Sequence, residues 1–294
     1  MPYYGFQAMK RRGASTFTIL AMVSMLLLGY SCGTGAGKRY AAVLDPGFAS
    51  LFPEAEAAFS KKGFIVTVLE AGSAAGALHS FVDANAPERL VVSPLLAREL
   101  PAIQNARPGM AVAHISYEEQ GAQAQATALR FDGLSAARVA GQALAGKFLD
   151  GRGSGEALVA AVFAGQDAQA KAQEFSRAFM AAGNSKLPIV EVTNSEWSQE
   201  AADRLRALDL SALYLSIPPR EAGRWINALS DQTAVIVESA HKPATPWPGC
   251  AGVVRWDLAA SLDELLAALD ASPAPAAFIQ GKWRFDALGE KGLF

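Results

Sequence analysis

The sequence predicts an α/β protein with two interleaved Rossmann-like lobes, each a parallel sheet flanked by helices, and a ligand cleft between the lobes. Short apolar runs alternate along the chain with amphipathic helical patterns, which is typical of parallel sheets covered by helices on both faces. Ten strand candidates exceed one ordinary sheet, so two lobes are expected.

The strand candidates are mostly continuous apolar runs, as expected for strands that are buried on both faces. They are Tyr40–Leu44, Phe64–Leu69, Arg89–Ser93, Ala111–Ile115, Ala128–Phe131, Ala157–Phe163, Ile189–Thr193, Ala212–Ser216, Ala234–Val237 and Gly252–Arg255. Helical periodicity lies between them. It covers Phe52–Lys62, Leu134–Leu149, Gln169–Ala182, Ser198–Leu208, Arg220–Leu229 and Leu258–Leu269.

Two segments without a core pattern are predicted to connect the lobes. Residues 118–127 are polar and rich in Gln and Ala, and residues 240–249 contain three prolines. Two connections imply interleaved rather than consecutive lobes. The first lobe is expected to hold residues 38–117 and about 245–270, and the second lobe residues 118–244 and about 271–294.

Residues 1–31 have the pattern of a secretory signal peptide. The basic cluster Lys10–Arg12 precedes the apolar run Phe17–Leu28, and small residues follow that run. The run is shorter than the roughly 20 apolar residues that span a bilayer. The expected product is therefore exported.

Cys32 directly follows the small residue Ser31, and this order resembles the lipobox of bacterial lipoproteins. The resemblance implies cleavage before Cys32 and attachment of acyl chains such as palmitate, which would hold the protein at a membrane. Residues 32–37 then form the lipidated cysteine and a flexible tether. An uncleaved anchor helix with a chance cysteine is the alternative, and both interpretations place residues 38–294 outside the cytoplasm.

Composition excludes several function classes. The net charge is −2, and no basic patch follows the signal, so no nucleic-acid partner is expected. With Cys32 acylated, Cys250 has no disulfide partner and is expected to be a buried thiol. The three histidines are scattered, and no Walker, Gly-x-Ser-x-Gly or His-Glu-x-x-His pattern occurs, so no metal site, cofactor or catalytic residue is predicted.

Three segments resemble the type I periplasmic substrate-binding proteins. Residues 131–149 are similar to that superfamily's hinge-to-helix element, and residues 157–183 to the strand, glycine turn and helix that open its second lobe. Residues 281–294 resemble the end of the basic membrane protein and purine nucleoside receptor group. The resemblance implies a monomeric receptor that delivers a nucleoside or sugar to an ABC permease.

Ligands of parallel sheets bind at the carboxyl ends of the strands, so polar and aromatic residues there are the candidate ligand contacts. Carboxylates accept hydrogen bonds from hydroxyl groups, and aromatic faces stack on a base or a sugar. Asp45 and Asp132 can equally cap helices, and Phe163 can equally be core. The predicted ligand-binding residues are Asp45, Phe48, Ser93, Asp132, Phe163, Asp167, Trp197 and Glu238.

Two other functions stay open at this point. A sensory or structural lipoprotein could keep this fold with a degenerate pocket, and the alanine-rich residues 70–80, interpreted as a weakly polar loop, favour it. An enzyme would need an acid–base pair among Asp45, Asp132 and Glu238. No nucleophile–base arrangement is visible in the sequence, so an enzyme is not expected.

Overall fold

The structure is a computed structural model that describes residues 39–70, 74–117, 126–149, 158–182, 187–193, 197–231, 233–241, 249–271 and 278–288. The predicted signal peptide, Cys32 and the tether lie outside the described residues. Within the described ranges, none of the helices has both the length and the apolarity required to cross a bilayer.

The described chain forms alternating strands and helices. The strands are β1 Tyr40–Leu44, β2 Ile65–Val68, β3 Arg89–Val92, β4 Ala111–Tyr117, β5 Thr127–Phe131, β6 Val159–Ala164, β7 Ile189–Thr193, β8 Ala212–Ser216, β9 Ala234–Glu238, β10 Cys250–Asp257, β11 Phe278–Gln280 and β12 Lys282–Ala287. The helices are α1 Pro46–Leu51, α2 Ala55–Lys61, α3 Ala74–Asn85, α4 Leu100–Ala106, α5 Gly133–Leu149, α6 Ala168–Ala181, α7 Gln199–Arg206, α8 Pro219–Leu229 and α9 Leu258–Asp270, with a 3₁₀ helix at Pro94–Glu99.

The strands build two sheets. The sheet of the first lobe has the order β11-β5-β4-β3-β1-β2, and its pairs are all parallel. The sheet of the second lobe has the order β12-β10-β9-β8-β6-β7, in which only β12 runs antiparallel to its neighbour. The predicted fold class is confirmed.

Each sheet is buried between two layers of helices. In the first lobe α1, α2 and α9 cover one face, while α3, α4 and the 3₁₀ helix cover the other. In the second lobe α5 and α6 cover one face, and α7 and α8 the other. This two-sided burial explains why the strands are continuous apolar runs in the sequence.

Several elements differ from the sequence prediction. All ten predicted strands are present, but β11 and β12 were not predicted, and neither were α1, α3, α4 and the 3₁₀ helix. The interpretation of residues 70–80 as a loop is wrong from Ala74 onward, because α3 begins there and buries Leu78 and Val82 against the first sheet. The first turns of α3 consist mainly of small residues, so the sequence shows no strong amphipathic pattern there.

The lobe boundaries also differ from those predicted. Strand β5 pairs with β4 in the first sheet, and β10 pairs with β9 in the second sheet. The chain therefore passes from the first lobe to the second after Phe131, returns after Asp257, and passes over again at Gly281. Strand pairing, which is non-local, decides lobe membership, whereas the polar segments that suggested the boundaries do not.

Aromatic side chains pack around these three crossings. The rings of Phe131 and Trp256 stack with centroids 4.1 Å apart, and Phe52 also stacks on Trp256, at 5.2 Å. Trp283 meets both Phe131 and Trp256 edge-on at 6.3 Å. The two tryptophans therefore pack between the lobes, since both belong to strands of the second sheet and contact the first lobe's core.

A buried arginine links the same region by charge. Arg255 on β10 donates from Nη1 to Glu54 of the first lobe and from Nε to Asp286 on β12, each at 2.6 Å. Burial opposes the charge on Arg255, but the bonds to Asp286 and Glu54 outweigh it and raise the pKa of the guanidinium. Both lobes are therefore tied to one cation.

We expect stability to fall on acidification because of His114 in β4. The side chain is 4% exposed, its Nδ1 has no hydrogen-bond partner among the described residues, and burial lowers its pKa. Below about pH 6.5 the unfolded histidine gains a proton that the folded one excludes, so unfolding becomes easier. Burial also lowers the pKa of His241, although Glu54 opposes that shift, so two groups act in the same direction.

The measurement is urea unfolding of wild type and His114→Asn between pH 7.5 and 5.5. The variant should lose up to one proton's share of the pH slope, about 1.4 kcal/mol per pH unit at most. An identical slope in both proteins would contradict the assignment. The absolute stability of the variant does not enter the test.

Candidate functional site

The candidate site is a cavity of about 600 Å³ at the carboxyl ends of the second lobe's strands. The chain order reverses between β6 and β8, because β7 continues on one side of β6 and β8 lies on the other. Ligands of open parallel sheets bind at such a reversal. The cavity is lined by Arg130, Asp132, Gly133, Leu134, Ala164, Gly165, Gln166, Asp167, Ala170, Lys171, Ser216, Ile217, Pro218 and Glu238.

The cavity wall adjoins the first crossing between the lobes. Arg130 belongs to β5 of the first sheet, and Asp132 directly follows that strand. Asp132 accepts a hydrogen bond from the backbone N–H of Ser135 at 2.7 Å, which caps the start of α5. Its second oxygen accepts from Gln280 Nε2. The capping prediction is confirmed, and the same carboxylate also lines the cavity.

Lys171 enters the cavity wall from α6 because Gly133 leaves room for it. A Cβ atom built on Gly133 would lie 2.0 Å from Lys171 Cε, so the lysine stem occupies space that any larger residue would fill. The lysine side chain is 7% exposed, and its Nζ lies 3.2 Å from Asp167 Oδ2, one helical turn earlier. The result is a buried cation held beside a carboxylate within the cavity.

Glu238 is oriented by a hydrogen bond from the buried phenol of Tyr214. Tyr214 is fully buried, and its Oη donates to Glu238 Oε2 at 2.7 Å. Burial, then the charge of Glu238 and this hydrogen bond, raises the pKa of Tyr214 well above its usual range, while Ser216 opposes the shift. The phenol therefore stays a donor, and it fixes the end of β9 where the carboxylate meets the cavity.

The structure brings three of the eight predicted residues together. Asp132, Asp167 and Glu238 line the cavity. The other five are not among the residues that line this cavity, and their contact with a ligand stays a prediction.

Asp45 and Ser93 satisfy each other inside the first lobe. Ser93 Oγ donates to Asp45 Oδ2 at 2.6 Å, and Asp45 N donates back to Ser93 Oγ at 2.8 Å. Asp45 also accepts from Phe48 N at 2.9 Å and caps α1. The helix-capping alternative is the one observed, because a buried carboxylate needs hydrogen-bond donors and finds them locally.

The three predicted aromatic contacts are packing residues. Phe48 stacks on Phe52 at 4.5 Å, and Phe163 meets Phe175 and Tyr214 edge-on within the second core. Both are at most 2% exposed. Trp197 packs partly buried on the second core, with the guanidinium of Arg224 6.0 Å from its ring centre.

Sequence reasoning missed the cationic half of the site. Arg130 lies inside a predicted strand and Lys171 inside a predicted helix, and neither position follows a strand end directly. The only sequence signal was the pairing of Lys171 with Asp167 at i, i+4. Gly133 could not be identified, because its close approach to another helix is a tertiary property.

Neither metal binding nor thiol chemistry has a matching group of side chains in the described ranges. They contain no group of three or more His, Cys, Asp or Glu side chains that could hold a metal ion. Cys250 is the free thiol among them, and it is buried as predicted. Burial, before all other effects, raises the pKa of the Cys250 thiol, which disfavours the reactive thiolate.

No protein-family model matches the chain, and no curated protein matches it. Among solved structures, it is similar to a periplasmic ribose ABC transporter protein from Conexibacter woesei DSM 14684, with 18% identity, a TM-score of 0.54 and coverage of 87% of this chain and 94% of that one. It is also similar to an ABC transporter solute-binding protein from the same organism, with 16% identity, a TM-score of 0.52 and coverage of 82% of this chain and 83% of that one. A XylFII–LytSN complex shows 12% identity and a TM-score of 0.53, with coverage of 88% of this chain and 100% of that one.

The chain has the fold of two-lobed periplasmic solute-binding proteins. At these identities the likeness concerns the fold alone. The position of the cavity agrees with it, because the described cavity lies at the strand ends beside the connections between the lobes.

We expect Gly133→Ala to displace Lys171, with Gly146→Ala in the same helix as the matched control. A Cβ at Gly146 meets nothing within 4 Å, so that variant should gain about 0.5 to 1 kcal/mol from helix propensity. Gly133→Ala should gain no stability, because its new Cβ displaces Lys171, and the Lys171 amine should become accessible to solvent. Thermal melting and mass-spectrometric mapping of reductive methylation at Lys171 test this, and unchanged methylation would contradict it.

Proposed function

We propose that the chain is a lipid-anchored, extracytoplasmic solute-binding protein that delivers a small hydroxyl-rich ligand to an ABC permease. The supporting observation is the cavity, which combines carboxylate acceptors with ammonium and guanidinium donors at a sheet's switch point. Each hydroxyl group can donate to one partner and accept from the other. Closure of the lobes about the three crossings would then enclose the ligand.

A sugar or another polyol fits the cavity better than a nucleoside. Among the described residues, the lining contains no aromatic side chain on which a base could stack. Of the three rings that the sequence offered, Phe48 and Phe163 are inside the cores, and Trp197 is not part of the lining. Base recognition generally combines stacking with polar contacts, whereas a polyol needs mainly hydrogen bonds.

The charges of the lining favour a neutral ligand. Lys171 is paired with Asp167, and Asp132 already accepts from Ser135 and Gln280. A charged ligand would have to compete with these bonds, and a stripped partner left buried is costly. A hydroxyl group can share such oxygens and nitrogens without displacing a charge.

A sensory or structural lipoprotein is the second candidate. The observation that favours it is the small contribution of the first lobe, since Arg130 is its only residue in the described lining. Asp45 and Ser93 are used internally there. Such a protein would bind no solute and would act by contact with another protein.

The test uses the full-length protein in mild detergent with D-ribose, D-xylose, D-glucose, myo-inositol, adenosine and uridine. A true ligand at one hundred times its Kd should stabilise by about 2.7 kcal/mol, which is a Tm rise of roughly 5 to 10 °C. We expect a sugar or cyclitol, and neither nucleoside, to produce it. A flat response to the whole panel would favour the second candidate.

Glu238→Gln should weaken binding of the active compound by about 10- to 100-fold, because a charge-assisted hydrogen bond is replaced by a neutral one. Glu56→Gln on α2 is the matched control, since Glu56 is exposed and lies outside the cavity lining. Calorimetric titration measures both. Equal Kd values for the two variants would contradict a ligand role for Glu238.

Anchoring is tested at Cys32. In a bacterial host, the full-length protein should incorporate a palmitate analogue and remain with membranes after a high-salt wash. Cys32→Ala should lose the label. Label that persists in Cys32→Ala would contradict acylation at this cysteine, and membrane retention without label would support the uncleaved anchor helix.

A further inference from the structure

Strand β11 is a three-residue edge strand with an unusual surface residue. Phe278 is 55% exposed, although it pairs with Ala128 of β5 at the edge of the first sheet. Its neighbour Ile279 packs on the first core, so Phe278 and Gln280 share the opposite face of the strand. An aromatic ring that is half exposed contributes little to a core. Its contacts therefore need another explanation.

Both side chains on that face contact residues of the cavity wall. The guanidinium carbon of Arg130 lies 5.8 Å from the centre of the Phe278 ring, within the range of a cation–π interaction. Gln280 Nε2 donates to Asp132 Oδ2 and, at 3.0 Å, to Ser135 Oγ. Arg130 and Asp132 line the cavity, whereas Phe278 and Gln280 do not.

The register of β11 against β5 is fixed by Gly281. Its backbone N–H donates to Arg130 O at 2.6 Å, and a Cβ on Gly281 would lie 2.5 Å from the Phe131 ring. A glycine is needed there for the backbone to pass the ring. This close approach seats Gln280 beside Arg130 in the ladder and keeps Phe278 two residues behind it.

We propose that Phe278 and Gln280 are positioning residues, which aim Arg130 and Asp132 into the ligand cavity. The Phe278 ring restricts the guanidinium from one side, and the Gln280 amide holds one oxygen of Asp132 while Ser135 holds the other. A preorganised donor and acceptor lose less freedom when a ligand binds. This inference rests on the proposed function for its effect on affinity, but the placement of Arg130 can be measured without a ligand.

The experiment compares full-length wild type with Phe278→Leu, Phe278→Trp and Gln280→Met. Leu95→Ala is the control, because Leu95 is 69% exposed in the same lobe and lies outside the lining. The probe is the compound of the six-member panel that raises the wild-type Tm most. Phe278→Leu and Gln280→Met should each weaken its binding about 3- to 10-fold. Phe278→Trp should restore the wild-type Kd, and Leu95→Ala should leave it unchanged.

A second measurement follows Arg130 itself. Mass-spectrometric mapping of phenylglyoxal modification should show faster reaction at Arg130 in Phe278→Leu than in wild type, and a wild-type rate in Phe278→Trp. A purely structural role would instead lower the Tm and leave a folded Trp variant unrescued. If Phe278→Leu fails to fold, Phe278→Tyr is compared with Phe278→Trp, and Arg130 should react more slowly in the tryptophan variant, because tryptophan binds a cation best. A faster reaction in the tryptophan variant would contradict the positioning role.

The outcomes separate the two proposals. If wild type binds none of the panel but Arg130 still reacts faster in Phe278→Leu, the proposed function fails and the positioning role stands. If wild type binds a sugar or cyclitol, but Phe278→Leu and Gln280→Met keep its Kd and the Arg130 rate, the positioning role is overturned. An equal effect of Leu95→Ala would also overturn it.

Discussion

The stack of Phe131 on Trp256 is the contact on which the rest of the architecture depends. Phe131 ends the last strand before the first crossing, and Trp256 nearly ends the strand before the second. Trp283 of the third crossing closes the group edge-on. All three connections are thus packed into one aromatic cluster, and Arg255 ties Glu54 of one lobe to Asp286 of the other beside it. Buried aromatic pairs of this kind stabilise a fold by more than the burial of their apolar area alone would.

This packing determines where the cavity lies. Because the first crossing leaves β5 at Phe131, the next residue, Asp132, caps α5 at the rim of the second sheet's switch point. The cavity is therefore built from the second lobe plus one crossing strand. The polar residues at the corresponding ends of β1 and β3 are bonded to each other instead. A ligand would be held chiefly by one lobe before closure, with Arg130 contributing from the first sheet.

Local pattern was enough to predict most of the fold. Two-sided burial turns strands such as Ala212–Ser216 and Tyr40–Leu44 into apolar runs, and both were predicted with the observed bounds. Sheet membership could not be predicted, since the pairing of β5 and β10 depends on residues far away in the chain. The short β11 also lacks any local signal, because a three-residue edge strand is defined by its partner and by the bare backbone of Gly281.

The same distinction explains the site. A carboxylate after a strand is visible in sequence, but whether it caps a helix, lines a cavity or does both is decided by what approaches it. The carboxylate of Asp45 is hydrogen-bonded to a buried serine and does not line the cavity. Asp132 accepts hydrogen bonds from Gln280 and Ser135 and still lines the cavity. Lys171 reaches the cavity through space left by the missing side chain of Gly133. The opposed charges that remain, with no ring to stack on among the described lining residues, favour recognition by hydrogen bonds, and that is the chemistry of a neutral polyol.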